Sequence, residues 1–376
     1  MFVIIDGSAI VNECYYRTLP DEVKHAKTDE EKEANYDKIM QTADGVYTNG
    51  VCNYLQVLLG ILYYQNPEHI AVCFDESRDG TFRRQMYPAY KAQRPETAYP
   101  LKQQLKLAQE MTRRVGIPVL MSREFEADDY AGTLARIFSK NEPVILLTKD
   151  RDYFQLLNEN VHAWIPQSNE KLEALRERYG ECPGCPPGMH EFTPEIVLGE
   201  IGVRPDQITD WKGISGDPSD NLPGIYRVGD STAIPLLSKY GSMERIFEAI
   251  EDCKTEAEEK ALFETWKAEL GLKRSPIRLM KEGKEAGFLS KRLATIKCDV
   301  SVDRNIRHYE APEDFCEFLD IAEEYGMEPL SELINHIQED YEYRSSGAYE
   351  EDNPAETECG VENMEDFEEY DEPEFV

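Results

Sequence analysis

Four short apolar runs, at residues 2–5, 70–74, 118–121 and 144–147, each give way within a few positions to polar or acidic residues. Runs of four or five apolar residues are too short for a helix core and suit strands buried on both faces of a parallel sheet. Longer stretches with helical periodicity, at 46–62, 100–115 and 126–138, lie between them. That alternation is the mark of β-α-β units, with helices packed on the faces of the sheet. In open sheets of this kind functional groups gather at the carboxyl ends of the strands. Asp6, Asp75 and Asp150 each fall one to three residues past a run, so three carboxylates are expected on one rim.

From residue 193 the pattern changes to short helices joined by Gly/Pro turns, at 193–202, 205–214, 231–240 and 242–250, and implies a second, mostly helical unit. Residues 166–191 carry a charged helical piece and then a Cys/Pro/Gly-rich turn, which reads as an insertion. The expected organisation is a sheet domain at 1–192, a helical domain at 193–338 and an acidic tail at 339–376. The tail holds sixteen Asp/Glu against one Arg; it accounts for −15 of the net charge of −33 and leaves −18 on residues 1–338. So little apolar content predicts disorder there. The sign reverses between residues 78 and 114, where nine Lys/Arg face three acids.

No run of about 18 apolar residues occurs, and the first strand meets Asp6 too soon for a signal peptide. A cytoplasmic monomer with no membrane contact is expected. Six of the nine cysteines are dispersed through apolar or helical stretches, so a disulfide framework is not expected. Cys182-Pro183-Gly184-Cys185 has the spacing of half a zinc knuckle, with His190 as a third candidate ligand. Without a second pair, a metal-free loop is the expectation.

Five acidic clusters carry the chemistry: Asp6-Gly7-Ser8, Asp75-Glu76, Glu126-Ala127-Asp128-Asp129, Asp150-Arg151-Asp152, and Asp217-Pro218-Ser219-Asp220. Each alone suits a turn or a helix N-terminus. Together they crowd charge that only a hard cation such as Mg2+ or Mn2+ neutralises well. No histidine or serine has the neighbours of a nucleophilic triad.

In this order the clusters resemble those of the 5′ nucleases, which include flap endonucleases and the 5′-to-3′ exonuclease domain of bacterial DNA polymerase I. The resemblance covers residues 2–302, including Leu289-Ser290-Lys291-Arg292-Leu293-Ala294-Thr295-Ile296, and the chain looks like a stand-alone relative of that domain. It implies an α/β fold, a PIN-like parallel sheet flanked by helices with a helical arch, plus a C-terminal helix–hairpin–helix subdomain. It implies two Mg2+ or Mn2+ ions, with Asp6, Asp75, Glu126 and Asp128 as ligands of the first and Asp129, Asp150, Asp152, Asp217 and Asp220 of the second.

The basic segment 82–94, Phe-Arg-Arg-Gln-Met-Tyr-Pro-Ala-Tyr-Lys-Ala-Gln-Arg, resembles the start of the arch through which single-stranded 5′ ends pass, here placed at about 78–115. The resemblance gives Lys91 and Arg94 the scissile phosphate, Arg83 and Arg84 the strand path, and Tyr87 or Tyr90 a stacking role; the alternative is an amphipathic helix with its tyrosines packed inward. Residues 221–233 resemble the hairpin that grips duplex DNA. Gly224, Gly229, Ser231 and Thr232 would face phosphates there, with a K+ ion in support. Two hairpin positions depart from the family pattern, Arg227 where a glycine is usual and Ser231 near a usual lysine. Glu13 stands where relatives carry a phosphate-binding arginine.

The implied activity is 5′-to-3′ exonuclease and flap endonuclease cleavage of DNA, and of RNA primers in RNA–DNA hybrids, in replication or repair. Two other readings are a PIN-type ribonuclease, against which Asp217 and Asp220 argue, and a non-catalytic 5′-end binding protein.

Overall fold

Val3 and Ile5 point to one side of the first strand and Phe2 and Ile4 to the other, and all four are fully buried in separate apolar clusters. A strand apolar on both faces needs helices on both faces, and it sits at the centre of the sheet. In the computed structural model, which describes residues 1–77 and 80–345, the strands are β1 (Phe2–Asp6), β2 (His69–Cys73), β3 (Val119–Leu120), β4 (Val144–Leu147), β5 (Val161–Pro166) and β6 (Met189–Phe192). Their order is β3-β2-β1-β4-β5-β6, parallel except for β6, which runs antiparallel to β5 at the edge. Arg78, Asp79 and residues 346–376 of the expected tail lie outside the described residues.

The fold is mixed α/β, as the alternation of runs predicts. Helix Ala127–Phe138 covers the Phe2/Ile4 face through Ala131, Leu134 and Phe138. Helices Gly7–Arg17, Asn49–Gly60 and Tyr99–Arg114 cover the other. Within that layer, buried Gln104 accepts the Gly50 and Val51 amides at 2.7 and 3.0 Å, satisfying free donors at the start of Asn49–Gly60. Helix Tyr99–Arg114 is therefore scaffold and not arch. Among the described residues of the expected arch, only Phe82–Met86 is helical before residue 99; Pro88 and Pro95 interrupt the segment, which runs as a strap of turns.

Two expectations about boundaries are corrected. Residues 166–191 are not a simple insertion, because the Asn169–Tyr179 helix and the Cys/Pro loop lead into β6, part of the sheet. Short alternation in Met189-His190-Glu191-Phe192 beside a Pro/Gly-rich turn hid that strand. The helical unit does not continue unbroken to 338 either. It comprises Pro194–Ile201, Ile208–Ser215, Asp230–Tyr240, Met243–Asp252, Glu256–Leu270 and Ile277–Ala294, whereas Cys316–Tyr325 and Glu328–Ser345 return to the sheet domain. Phe318, Ile321, Leu330 and Ile334 join the cluster of Val3 and Ile5, and Gln56 donates to the Pro329 carbonyl at 3.0 Å. Residues 339–345, expected to be disordered, continue this last helix. No described helix is long and apolar enough to cross a membrane.

Phe318 is fully buried between the returning helices and the sheet layer. Phe318→Ala should cost about 3–5 kcal/mol in urea unfolding. A loss below about 1 kcal/mol would show that these helices do not complete the core.

Candidate active site

Asp6 closes β1 and caps helix Gly7–Arg17: its Oδ1 accepts the Ala9 amide at 2.9 Å and its Oδ2 accepts the Thr148 hydroxyl, just past β4, at 3.0 Å. Burial, with the charges of Asp75 and Asp150 added, pushes its carboxyl up to about 7. Asp75, past β2, accepts the Ala127 amide at 2.9 Å. Asp150 caps the turn Arg151–Leu156 and accepts the Asp152 amide at 2.8 Å. Glu126 and Asp128 sit at the start of helix Ala127–Phe138, opposite the same rim. Burial drives the Asp128 carboxyl well above the carboxylate range even though Arg83 works against it. Its Oδ1 is buried without a hydrogen-bond partner among the described residues.

A second group joins the sheet to the helical unit. One carboxylate oxygen each from Asp152, Asp217 and Asp220 lies within 4.8 Å of the others. Lys212, on Ile208–Ser215, bonds to both Asp152 and Asp217. Burial, then the charge of Asp150, lifts the Asp152 carboxyl to about 7 despite Lys212. Sequence reasoning passed over Lys212, although its place five residues before Asp217 was a signal. It also missed Tyr153, whose buried hydroxyl lies in the field of Asp6 and Asp128.

Three assignments change. Arg83 does not lie along a strand path. It is 1% exposed and donates two hydrogen bonds to Asp129 (2.7 and 2.8 Å), one to Glu126 (2.7 Å), and one each to the Leu293 and Thr295 carbonyls. Asp129 in turn is 0% exposed, and its oxygens also accept the Glu126 and Lys297 amides. Both of its oxygens are committed in this structure, where Asp129 serves as the counter-ion of Arg83. Tyr90 is buried, its hydroxyl donating to Glu126 at 3.1 Å and Asp220 at 3.2 Å, so it offers no stacking face; the inward-packed alternative holds at this residue.

Lys91 and Arg94 stand between the two carboxylate groups. Lys91 Nζ is 2.9 Å from Glu126 and 3.9 Å from Asp220, and Arg94 bonds to Asp220 at 2.7 Å. Burial works to raise the Glu126 carboxyl, but Lys91 and Arg83 outweigh it and hold it below the usual range. The strap is stitched down by the Lys91 amide on the Asp220 carbonyl (3.0 Å) and by Asn221 on the Ala89 carbonyl (2.8 Å). Arg84 is tied to the Tyr90 carbonyl at 3.1 Å, and Tyr87 is partly buried against the Tyr90 cluster.

In the hairpin, Gly224 has φ +58°, and a Cβ there would meet the Gly216 nitrogen at 2.2 Å. Its N–H donates to buried Ser290 at 3.0 Å, which corrects the phosphate-facing expectation. Gly229 is exposed and opens helix Asp230–Tyr240, with Ser231 exposed and Thr232 half-buried in the first turn. Arg227 takes φ +60° and places its guanidinium 5.0 Å over the Tyr226 ring, which is exposed. Glu13 faces Lys149 at 3.5 Å, and Arg17 is held by Asn53.

The residues fit a hard divalent cation. Asp128 keeps a buried acceptor with no donor, while burial and neighbouring carboxylates disfavour the charged forms of Asp6 and Asp152, which a bound cation would favour.

Residues 1–180 match the family described as 5′-3′ exonuclease, N-terminal resolvase-like domain, and residues 203–314 match 5′-3′ exonuclease, C-terminal SAM fold. A 5′-3′ exonuclease of Aquifex aeolicus is 33% identical over 244 residues, 65% of this chain and 71% of that protein. DNA polymerase I of Caldicellulosiruptor bescii is 28% identical over 83% of this chain, which spans 30% of the polymerase's length. In fold the chain is similar to a zinc-bound T5 5′-exonuclease (TM-score 0.53, 18% identical, covering 90% of this chain and 98% of that one). It is also similar to a bacteriophage T5 flap endonuclease in complex with DNA and metal ions (TM-score 0.51, 17% identical, covering 90% and 98%).

Raised carboxyls give a pH dependence. Between about pH 4 and about pH 7 the folded chain keeps protons on Asp6 and Asp152 that the unfolded chain has released, so stability falls as pH rises through that window and levels off above it. The slope is at most about 1.4 kcal/mol per pH unit for each group. Urea unfolding in chelator should show lower stability at pH 7.5 than at pH 5.5, and Asp6→Asn should flatten part of the slope. Stability that rises over this range contradicts the account.

Proposed function

The chain belongs to the 5′-3′ exonuclease family, and on that premise we propose that it hydrolyses DNA phosphodiester bonds at 5′ ends, as a 5′-to-3′ exonuclease and flap endonuclease that also removes RNA primers. One observation carries the reading: Glu126, at the start of helix Ala127–Phe138, and Asp220, in the helical unit, face each other across Lys91 and Arg94.

Asp6, Asp75, Glu126 and Asp128 would hold one Mg2+ or Mn2+, and Asp150, Asp152, Asp217 and Asp220 a second. Bound there, such cations supply a Lewis acid that activates water and neutralises charge developing on the phosphate. Thr148 and the Ala9 amide fix the Asp6 carboxylate, and the Ala127 amide fixes Asp75. Arg83 and Tyr90 orient Glu126 from behind. Lys91 and Arg94 pair with Glu126 and Asp220. With those acids engaged by bound metal, the Lys91 and Arg94 side chains would be free to bind the phosphodiester and stabilise charge that grows on it. Gly229, Ser231 and Thr232, at a helix N-terminus, would take a duplex phosphate, a contact blind to sequence. Asp230 in the same turn works against that contact, although its Oδ1 is drawn to Trp211 at 2.7 Å.

With Mg2+ and a 5′-flap DNA, the chain should release the flap, Asp128→Ala should be inactive, and Lys91→Ala should lose about 10²-fold in kcat. Cleavage of single-stranded RNA but not of flap DNA would favour a ribonuclease. Flap binding in Ca2+ without turnover in Mg2+ would leave only a binding protein, and equal activity of Asp128→Ala would refute the proposal.

A further inference from the structure

At the β6 edge of the sheet, sulfur, carboxylate and imidazole come together. Cys182 and Cys185 flank a Pro-Gly turn closed by the Cys185 amide on the Cys182 carbonyl at 3.0 Å, and their sulfurs are joined as a disulfide. Glu191, on β6, lies with Oε2 3.5 Å from Cys182 Sγ. Ligand atoms of Cys182, Cys185 and Glu191 all fall within 4.8 Å of one another. His162, on β5, bonds through Nδ1 to the other Glu191 oxygen. His190, the third ligand that the sequence suggests, is turned away, its ring nitrogens facing the Glu191 and Gly180 carbonyls at 2.9 and 3.3 Å.

We propose that in its reduced form this cluster binds a soft divalent cation of the Zn2+ type. Cys182, Cys185 and Glu191 are the ligands, solvent takes the fourth position, and His162 is the positioning residue for Glu191. Cys-x-x-Cys spacing lets a single turn present two thiolates to one tetrahedral ion. Thiolates select a soft ion and discriminate against Mg2+, so the site is chemically separate from the all-oxygen rim. A hydrogen bond on the outer oxygen of a ligating carboxylate fixes its orientation, and His162 stands where that bond is needed. The sequence lacks a second Cys pair, and the fold supplies a carboxylate from a neighbouring strand in its place.

Reduction by a dithiol breaks the Cys182–Cys185 bond. Two electrons and two protons pass to the sulfurs while the dithiol closes to its own disulfide. Cation binding then releases the two thiol protons. The six other cysteines among the described residues are unpaired, which suits a reducing environment. The bound ion would pin the loop after helix Asn169–Tyr179 to β6, the edge strand of the sheet.

The test is Co2+ titration of the full chain, reduced with a dithiol and desalted without air. One Co2+ per chain should produce a near-ultraviolet thiolate-to-cobalt band, and one equivalent of Zn2+ should abolish it. The band should vanish in Cys182→Ser/Cys185→Ser, require at least about tenfold more Co2+ in Glu191→Gln, and persist in Asp128→Ala. The double serine variant should keep its Mg2+-dependent cleavage of flap DNA, so failure here and failure of the nuclease proposal are told apart. A reduced wild-type chain with no such band, a band retained by the double serine variant, or one lost in Asp128→Ala would overturn the site.

Discussion

The guanidinium of Arg83 is where three parts of the chain meet. It leaves the strap, enters the interior beside the first turn of helix Ala127–Phe138, and touches carbonyls at the end of helix Ile277–Ala294. A buried cation is tolerated only when its donors are satisfied, and here Glu126, Asp129 and two carbonyls satisfy them. Fixing Arg83 therefore fixes the strap, the carboxylate helix and the helical unit relative to one another. It also divides the acids. Asp129 is paired through both oxygens with Arg83, whereas Asp128 meets it only at 3.6 Å, and burial disfavours the charged forms of Asp6, Asp128 and Asp152.

That division explains the posture of the strap. Lys91 shares Glu126 with Arg83, Arg94 pairs with Asp220, and Lys91 adopts φ +51° in that position. A positive φ in a non-glycine residue is strained backbone, and it sits on a side chain poised at the junction of both carboxylate groups. Lys212 plays the same balancing part between Asp152 and Asp217 from the helical side.

Strands β1 to β4 and the acids of the rim were legible because both follow from local pattern: short apolar runs, with Asp6, Asp75 and Asp150 one to three positions past them; β5 and β6 were not read. Covering elements were legible where periodicity was long, as in Tyr99–Arg114 and Ala127–Phe138. What could not be read depends on partners distant in sequence. Whether Arg83 points at DNA or at Asp129 is decided by residues 46 positions away. Tyr90 finds its acceptor across 130 residues, and Gly224 spends its N–H on Ser290. The return of Cys316–Tyr325 and Glu328–Ser345 to the sheet was equally hidden, since an amphipathic helix does not state which face it will cover.

The claim that the acids fall into an Arg83-neutralised set and a cation-requiring set is tested most directly by calorimetric Mn2+ titration without DNA, paired with urea unfolding, on wild type, Asp128→Asn and Asp129→Asn. The account predicts that Asp128→Asn loses Mn2+ affinity while the fold is retained, and that Asp129→Asn loses stability while Mn2+ affinity is kept by the remaining folded protein. Loss of Mn2+ binding in a fully stable Asp129→Asn chain would contradict it.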